Sequence, residues 1–131
     1  MQLYLLIALG GALGSVSRFY ISNLFATTHL GSVFPLGTMA INVTGSLVIG
    51  FIWTCTGPDG RWFATPELRT FLMVGFCGGY TTFSSFSLQT LTLAQEGEWL
   101  HAGVNIVGSV VLCLVAVWLG HVAGAAVNSA R

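Results

Sequence analysis

The sequence predicts an all-α integral membrane protein in which residues 1–131 form a single transmembrane domain with four helices. Of the 131 residues, 54% are hydrophobic and only 6% are charged, and the mean hydropathy is +0.83. A soluble domain carries about a quarter charged residues. Four apolar segments are each long enough to cross a hydrocarbon core of about 30 Å as a helix, and the polar joints between them are short.

The first segment, about residues 3–25, contains Gly10 and Gly14, a spacing that lets helix backbones approach closely in membranes. Arg18 follows one helical turn later. An arginine deep in the bilayer costs about 2.5–3.5 kcal/mol on insertion scales, whereas near a helix end its side chain can reach the interface. Two roles therefore stay open for Arg18, as a snorkelling or structurally paired residue and as a group that attracts anions.

Two further segments, about residues 34–55 and 99–127, each place small or polar residues four apart on one helical face. These residues are Asn42, Ser46 and Gly50 in the second segment, and Asn105, Ser109 and Cys113 in the fourth. Such groups either hydrogen-bond neighbouring helices or line a pathway, where an amide N–H can donate to a passing anion. The presence of two polar faces on different helices favours the pathway-lining role, because both faces have to turn towards the inside of the helix bundle.

The third segment, about residues 68–94, contains Gly-Gly-Tyr-Thr-Thr, in which paired glycines precede two β-branched threonines. This composition is unfavourable for a continuous helix, so we expect a break near the middle, from Gly78 to Thr81. A break at bilayer depth frees backbone carbonyls, and such carbonyls suit a hard cation such as Na⁺. The alternative is a kink whose backbone groups are satisfied by the hydroxyls of Thr81, Thr82 or Ser84.

Beyond the expected break, Phe83 and Phe86 lie three residues apart, with Ser84 and Ser87 beside them. Phenylalanines in membrane helices usually face lipid or pack against other helices, but interleaved hydroxyls argue against a purely lipid-facing surface. An aromatic ring has a positive edge as well as a negative face. The two rings are therefore candidates to receive a small anion, with hydroxyls and an amide completing its contacts.

The sequence also excludes several classes of function and suggests an assembly. No carboxylate lies mid-membrane, so a proton-coupled or cation-coupled exporter lacks its usual group. Catalytic motifs and a phosphate loop are missing, so we expect no enzyme, and the zero formal net charge gives no indication of a nucleic-acid partner. Four short helices enclose little volume, which indicates more than one copy. The arginine bias between the two sides is weak, so both insertion orientations and an antiparallel dimer are possible.

The chain resembles the Fluc (CrcB-type) family of fluoride-specific channels over nearly its whole length. The resemblance lies in four stretches, GGALGSVSRF, PLGTMAINVTGSLVIG, GFCGGYTTFSSFS and VNIVGS. It implies a dual-topology antiparallel homodimer with two passive fluoride pores in the bacterial cell inner membrane, where its partners are membrane lipid and a second copy of the chain. It also implies a central structural Na⁺ held by backbone carbonyls from both subunits, which on matching positions belong to Gly78 and Thr81.

The same resemblance assigns the fluoride pathway residue by residue. It implies that Phe83, Phe86 and Asn42 line the pore, and that further polar positions lie near it, namely Thr82, Ser84, Ser87 and Ser109. Arg18 matches a vestibular or structural arginine of the family, and Asn105 stands where some relatives have tyrosine. The implied function is passive export that lowers cytoplasmic fluoride. Its rivals are a small four-helix drug or cation exporter and a non-transporting assembly subunit whose polar faces only join helices.

Overall fold

The computed structural model describes residues 1–28, 34–58 and 60–130 of the chain. In these ranges the chain is helical apart from short joints, and no strand occurs. The α-helices are α1 (Gln2–Ala26), α2 (Leu36–Cys55), α3 (Pro66–Arg69), α4 (Gly78–Tyr80), α5 (Phe83–Gln95) and α6 (Trp99–Ser129), with a π-helical stretch at Thr70–Cys77 between α3 and α4. By length and composition α1, α2 and α6 can each cross a membrane. The chain is thus an α-helical, multi-pass membrane protein.

The bounds of the long helices follow local capping chemistry. Helix α2 begins two residues later than expected because Pro35, at its N-cap, has no backbone N–H and leads the chain into the helix. Helix α3 has Pro66 at its first position, and the hydroxyl of Thr65 accepts a hydrogen bond from the N–H of Leu68 at 3.3 Å. Helix α6 has 31 residues and reaches Ser129, two residues beyond the expected end.

The third segment is interrupted, as the sequence predicts, but the break lies at the C-terminal end of the expected range. Gly78 and Gly79 are helical, whereas Thr81 and Thr82 are extended, with ψ angles of 156° and 111°. Gly79 serves a different purpose, because a Cβ at this position would collide with the backbone of Gly11 on α1. The π-helical geometry before the break was not expected from the sequence.

Close helix contacts depend on small residues, as the spacing of glycines predicts. Helix α1 packs against the π-helical stretch and α4, and α2 packs along α6. On α6, a Cβ at Gly120 would collide with the backbone of Leu47 on α2, whereas a Cβ at Gly103 would meet no atom within 4 Å. The helix backbones therefore touch directly at Gly120.

We expect Gly120→Ala to destabilise the protein and Gly103→Ala to leave its stability unchanged or raise it. Overpacking a close contact costs about 1–3 kcal/mol, whereas an alanine in an open helical position is about 1 kcal/mol more favourable than glycine. The free energy of unfolding in detergent micelles measures both variants on the same helix. Equal unfolding curves for the two variants would show that α2 and α6 do not touch at this point.

At one end of the bundle, two arginines form contacts that stabilise the connection between α2 and α3. The guanidinium group of Arg69 donates to the carbonyl of Thr56 and lies 5.0 Å from the centroid of the Trp53 ring. The backbone N–H of Arg61 donates to Oδ1 of Asn128 at 2.8 Å, and its guanidinium group donates to the carbonyl of Val127 at 3.2 Å. Arg131, one of the four arginines on which the weak bias between the two sides rests, lies outside the described residues.

Candidate functional site

A cavity of about 430 Å³ lies where α2, the π-helical stretch, the break, α5 and α6 meet. Nine of the residues singled out in the sequence line it, namely Asn42, Ser46, Gly78, Thr81, Thr82, Phe83, Phe86, Ser109 and Cys113. Further lining residues were not singled out in the sequence, and they include Gly45, Ile49, Met73 and Cys77. The polar faces of α2 and α6 therefore turn towards the same space.

The side chain of Asn42 pairs with the backbone at the break. Its Nδ2 donates to the carbonyl of Thr82 at 3.1 Å, and its Oδ1 accepts from the N–H of Thr82 at 2.8 Å. One carboxamide thus supplies both partners that an interrupted helix no longer provides. The pairing also fixes the orientation of the amide, because the reversed group would set donor against donor.

Asn42 can combine the two roles that the sequence left open. The amide nitrogen has two N–H groups, and the bond to Thr82 uses one of them. Asn42 is half-buried and lines the cavity, so the second N–H is available to a ligand there. It is therefore a link between helices and a candidate hydrogen-bond donor at once.

Hydroxyl groups satisfy part of the broken backbone, in agreement with the alternative considered for this segment. The Oγ1 of Thr82 accepts from the N–H of Ser85 at 3.2 Å and thereby caps α5. The same hydroxyl lies 3.2 Å from Oγ of Ser84 and donates to Oγ of Ser85 at 3.0 Å. On the other side of the break, the hydroxyl of Thr81 donates to the carbonyl of Cys77 at 3.0 Å.

Two residues that line the cavity at the break have a carbonyl group without a hydrogen-bond donor among the described residues. Cys77 O accepts from Thr81, Gly79 O accepts from the Ser15 hydroxyl at 3.4 Å, and Thr82 O accepts from Asn42. Among the described residues, none donates to the carbonyl oxygens of Gly78 or Thr81. Both of these residues line the cavity, so its wall includes free backbone oxygens as well as hydrogen-bond donors.

Two aromatic rings at the start of α5 lie in contact but differ in exposure. The ring centroids of Phe83 and Phe86 are 5.2 Å apart, and the rings are tilted by 45°. Phe86 is 8% exposed, whereas Phe83 is 76% exposed on the surface of this single chain. The ring pair therefore extends from the cavity wall to the outer surface of the chain.

Helix α6 contributes a chain of polar groups behind the cavity wall. Asn105 is 1% exposed, and its Nδ2 donates to Oγ1 of Thr90 at 2.8 Å. Its Oδ1 accepts from the hydroxyl of Ser109 at 3.3 Å. Ser109 lines the cavity and Asn105 does not, so Asn105 orients Ser109 from behind.

Four predicted site residues lie outside the cavity wall, namely Asn105, which lies behind it, and Ser84, Ser87 and Arg18. Ser84 and Ser87 are exposed, and the hydroxyl of Ser87 donates to the carbonyl of Phe83 at 2.9 Å. Arg18 is half-buried on α1, and within the described part of the chain it forms neither a hydrogen bond nor an ion pair. The cavity therefore brings together the α2, break and α6 residues, but not the arginine of the first segment.

Two residues that support the break were not singled out in the sequence. The hydroxyl of Tyr80, which is 8% exposed, lies 2.9 Å from Oγ1 of Thr44 on α2. This contact holds Tyr80, the last residue before the break, in place. In the same way Asn42 holds Thr82, the second residue of the break. A threonine two positions from Asn42 on a helix gives no local signal for such a contact, because the two side chains do not share a face.

Comparison with known proteins identifies close relatives of the chain. The family model described as "CrcB-like protein, Camphor Resistance (CrcB)" matches residues 5–121. A protein named fluoride-specific ion channel FluC from Opitutus terrae is 59% identical over 131 residues, which cover 100% of this chain and 98% of the relative. Proteins of the same name from Paramagnetospirillum magneticum and Rhodospirillum rubrum are 58% identical over 128 residues and 60% identical over 125 residues. These alignments cover 98% and 95% of this chain, and 99% and 96% of the two relatives. The names describe ion channels, in agreement with the prediction that the chain is not an enzyme.

Proposed function

The chain belongs to the CrcB-like family, and on this premise we propose that it is a fluoride-selective channel that lowers cytoplasmic fluoride by passive export. The observation that carries this proposal is the composition of the cavity wall. Asn42, Thr82 and Ser109 bring hydrogen-bonding groups to the same space as the ring of Phe86, and no carboxylate lines it among the described residues. Such a lining favours an anion, and a narrow, dehydrating path favours a small one over larger halides.

The direction of transport follows from acid–base chemistry and the membrane potential. Hydrogen fluoride is a weak acid that enters cells as a neutral molecule and dissociates inside, where the anion is trapped. An inside-negative potential drives each anion outward with about 2.3 kcal/mol per 100 mV. The four acidic residues of the chain stand at positions 59, 67, 96 and 98, outside the membrane-spanning cores, so no carboxylate is placed to couple transport to protons.

The proposed channel is an antiparallel, dual-topology homodimer with two pores. The interrupted segment from Pro66 to Gln95 supplies a fourth membrane crossing. Phe83 is 76% exposed although its ring contacts Phe86. A pathway along both rings is therefore open on the Phe83 side of a single chain, and another chain is needed to close it. A second copy in the opposite orientation covers Phe83, and membrane lipid covers the remaining apolar surface. The relatives come from bacteria, so we assign the chain to the bacterial cell inner membrane.

The free carbonyls at the break support a structural Na⁺ at the centre of the dimer. Gly78 and Thr81 each present an oxygen that receives no hydrogen bond from the described residues. Neutral carbonyl oxygens suit a hard cation, as they do in the broken helices of transporters. Two carbonyl oxygens from one chain are too few to hold a hard cation, so the second copy supplies the matching pair, which brings the protein oxygens to four. Such an ion would hold the two breaks together and add a positive charge near the anion path.

Removing sodium should weaken both the assembly and the transport. If N-methyl-D-glucamine replaces Na⁺ throughout purification and reconstitution, we expect a lower thermal midpoint and slower fluoride efflux, and added Na⁺ should restore both. A bound ion stabilises the folded state by RT ln(1 + [Na⁺]/Kd), so the midpoint should rise with Na⁺ concentration. A midpoint independent of Na⁺ would exclude a structural role of the ion.

Fluoride efflux from proteoliposomes tests the function directly. Liposomes loaded with potassium fluoride and treated with valinomycin should release fluoride to an external electrode without a proton or sodium gradient, and chloride should remain inside. Drug–proton exchange in place of this flux would identify the exporter, and the absence of any flux would identify the assembly subunit. Protein-free liposomes give the background rate.

A further inference from the structure

Three sulfur-containing side chains line the cavity of the candidate site. Met73 and Cys77 belong to the π-helical stretch, and Cys113 belongs to α6. Met73 and Cys77 are four residues apart in a helix with more than four residues per turn, so they lie on nearly the same face. Cys113 approaches from another helix, and the three residues therefore belong to two walls of one space.

The two thiols of this sulfur cluster (Met73, Cys77 and Cys113) are not engaged elsewhere. Neither the Cys77 nor the Cys113 sulfur has a hydrogen-bond partner within the described residues, and both cysteines are free. Cys55 is free as well, but it does not line the cavity, and its thiol donates to the carbonyl oxygen of Gly124 at 3.9 Å. Cys55 is also 0% exposed. The chain thus contains a natural control thiol for the other two.

The chemistry of the cluster selects soft metal ions. Thiolate and thioether ligands prefer soft d¹⁰ ions, whereas carboxylates, which hard divalent ions prefer, do not line this cavity among the described residues. We propose that the cavity is a binding site for a soft metal ion, with the thiols of Cys77 and Cys113 as ligands and the thioether of Met73 beside them. Mercuric ion is the probe of choice, because its neutral chloride can enter the membrane.

The binding step balances in atoms and in charge. Mercuric chloride exchanges its two chlorides for the two sulfurs, so that two Hg–Cl bonds break, two Hg–S bonds form, and two protons leave with the two chlorides. No oxidant or reductant is needed. The complex of one Hg²⁺ with two thiolates is neutral, which avoids the high cost of an unpaired charge in an apolar interior.

Metal binding at this cluster should close the anion path, a consequence that rests on the proposed function. The same cavity is lined by Phe86, Ser109 and Asn42, so an ion between Cys77 and Cys113 occupies the space that the anion would use. Soft metals would then inhibit this channel through its own cysteines.

The experiment measures bound mercury and flux separately. After mercuric chloride treatment and removal of excess reagent, we expect one mercury per folded chain by elemental analysis, and a fall in titratable thiols of the denatured protein from three to one. Fluoride efflux should drop to the rate of protein-free liposomes, and dithiothreitol should restore it. Cys55→Ala should bind mercury as the wild type does, with one titratable thiol fewer before and after treatment.

Variants of the sulfur cluster test whether its cysteines are the metal ligands. The double variant Cys77→Ala/Cys113→Ala, compared with its own untreated sample, should lose the bound mercury and the inhibition, and in Cys113→Ala alone mercury should consume at most one titratable thiol instead of two. Mercury retained by the folded, monodisperse double variant, or lost in Cys55→Ala, would overturn the site. Stoichiometric mercury at the two cysteines with unchanged fluoride efflux would leave the site standing and show that this cavity is not the fluoride path.

Discussion

Replacing Phe86 with isoleucine should nearly abolish fluoride efflux while the protein stays folded. Phe86 is 8% exposed, and its ring contacts that of Phe83 at the cavity. Isoleucine keeps an apolar side chain of moderate size but removes the ring and its positive edge. A desolvated cation over a ring face is worth about 2 kcal/mol, and a contact of the same size between an anion and the ring edge corresponds to about a 30-fold lower rate if it is made only at the barrier. Efflux per milligram of reconstituted protein measures the effect.

The control for this experiment is another phenylalanine on a membrane helix. Phe19 is 69% exposed on α1 and does not line the cavity, so Phe19→Ile should leave efflux unchanged. Phe83→Ile should reduce efflux in the same direction as Phe86→Ile, because the two rings are in contact. Circular dichroism and gel filtration confirm that each variant is folded. If Phe86→Ile transports fluoride as fast as Phe19→Ile, the ring contributes nothing to the path.

The membrane class and the break were predictable because both depend on local composition. Apolar segments of sufficient length specify membrane helices, and Gly-Gly-Tyr-Thr-Thr lowers the helix propensity at one place. Propensity located the break only approximately. The threonines are extended and the glycines helical, because Gly79 is required for contact with Gly11 on α1. Glycine spacing indicates that a close helix contact exists, but it does not show which residue of another helix is the partner.

The site was predictable in its polar members but not in its arrangement. Helical spacing shows that Asn42 and Ser109 each lie on a polar face, but it does not show that both faces meet at one cavity. The same spacing treats Phe83 and Phe86 alike, although one ring is exposed and the other buried. The π-helical stretch was not predicted either, because its apolar residues fit an α-helix equally well.

Replacing Asn42 with leucine should destabilise the protein and stop transport together. Leucine has a similar size but offers no partner to the N–H and the carbonyl of Thr82. Each buried polar group left without a partner costs about 1–3 kcal/mol, so the loss of both should lower the free energy of unfolding by about 2–6 kcal/mol. Denaturant unfolding in micelles measures this change, and the electrode assay measures efflux on the same preparation.

Asn23→Leu is the matched control, because Asn23 is exposed on α1 and its side chain forms no hydrogen bond with the described residues. This variant should unfold as the wild type does. Unfolding of Asn42→Leu at the same denaturant concentration as Asn23→Leu would mean that the bonds between Asn42 and Thr82 do not stabilise the break.

The variant Asn42→Asp separates the support of the break from contact with the anion. A carboxylate can still accept from the N–H of Thr82, but it cannot donate to the Thr82 carbonyl, and its charge repels an anion in the cavity. Once protonated, the introduced carboxyl can donate to that carbonyl again and loses its charge. The thermal midpoint of this variant should therefore rise towards the wild-type value as the pH falls. If Asn42 only contacted the anion, its replacement by leucine would slow efflux without changing stability, and acid would not stabilise Asn42→Asp. Combined loss of stability and transport in Asn42→Leu, with acid stabilisation of Asn42→Asp, would instead identify the amide as the support of the interrupted helix.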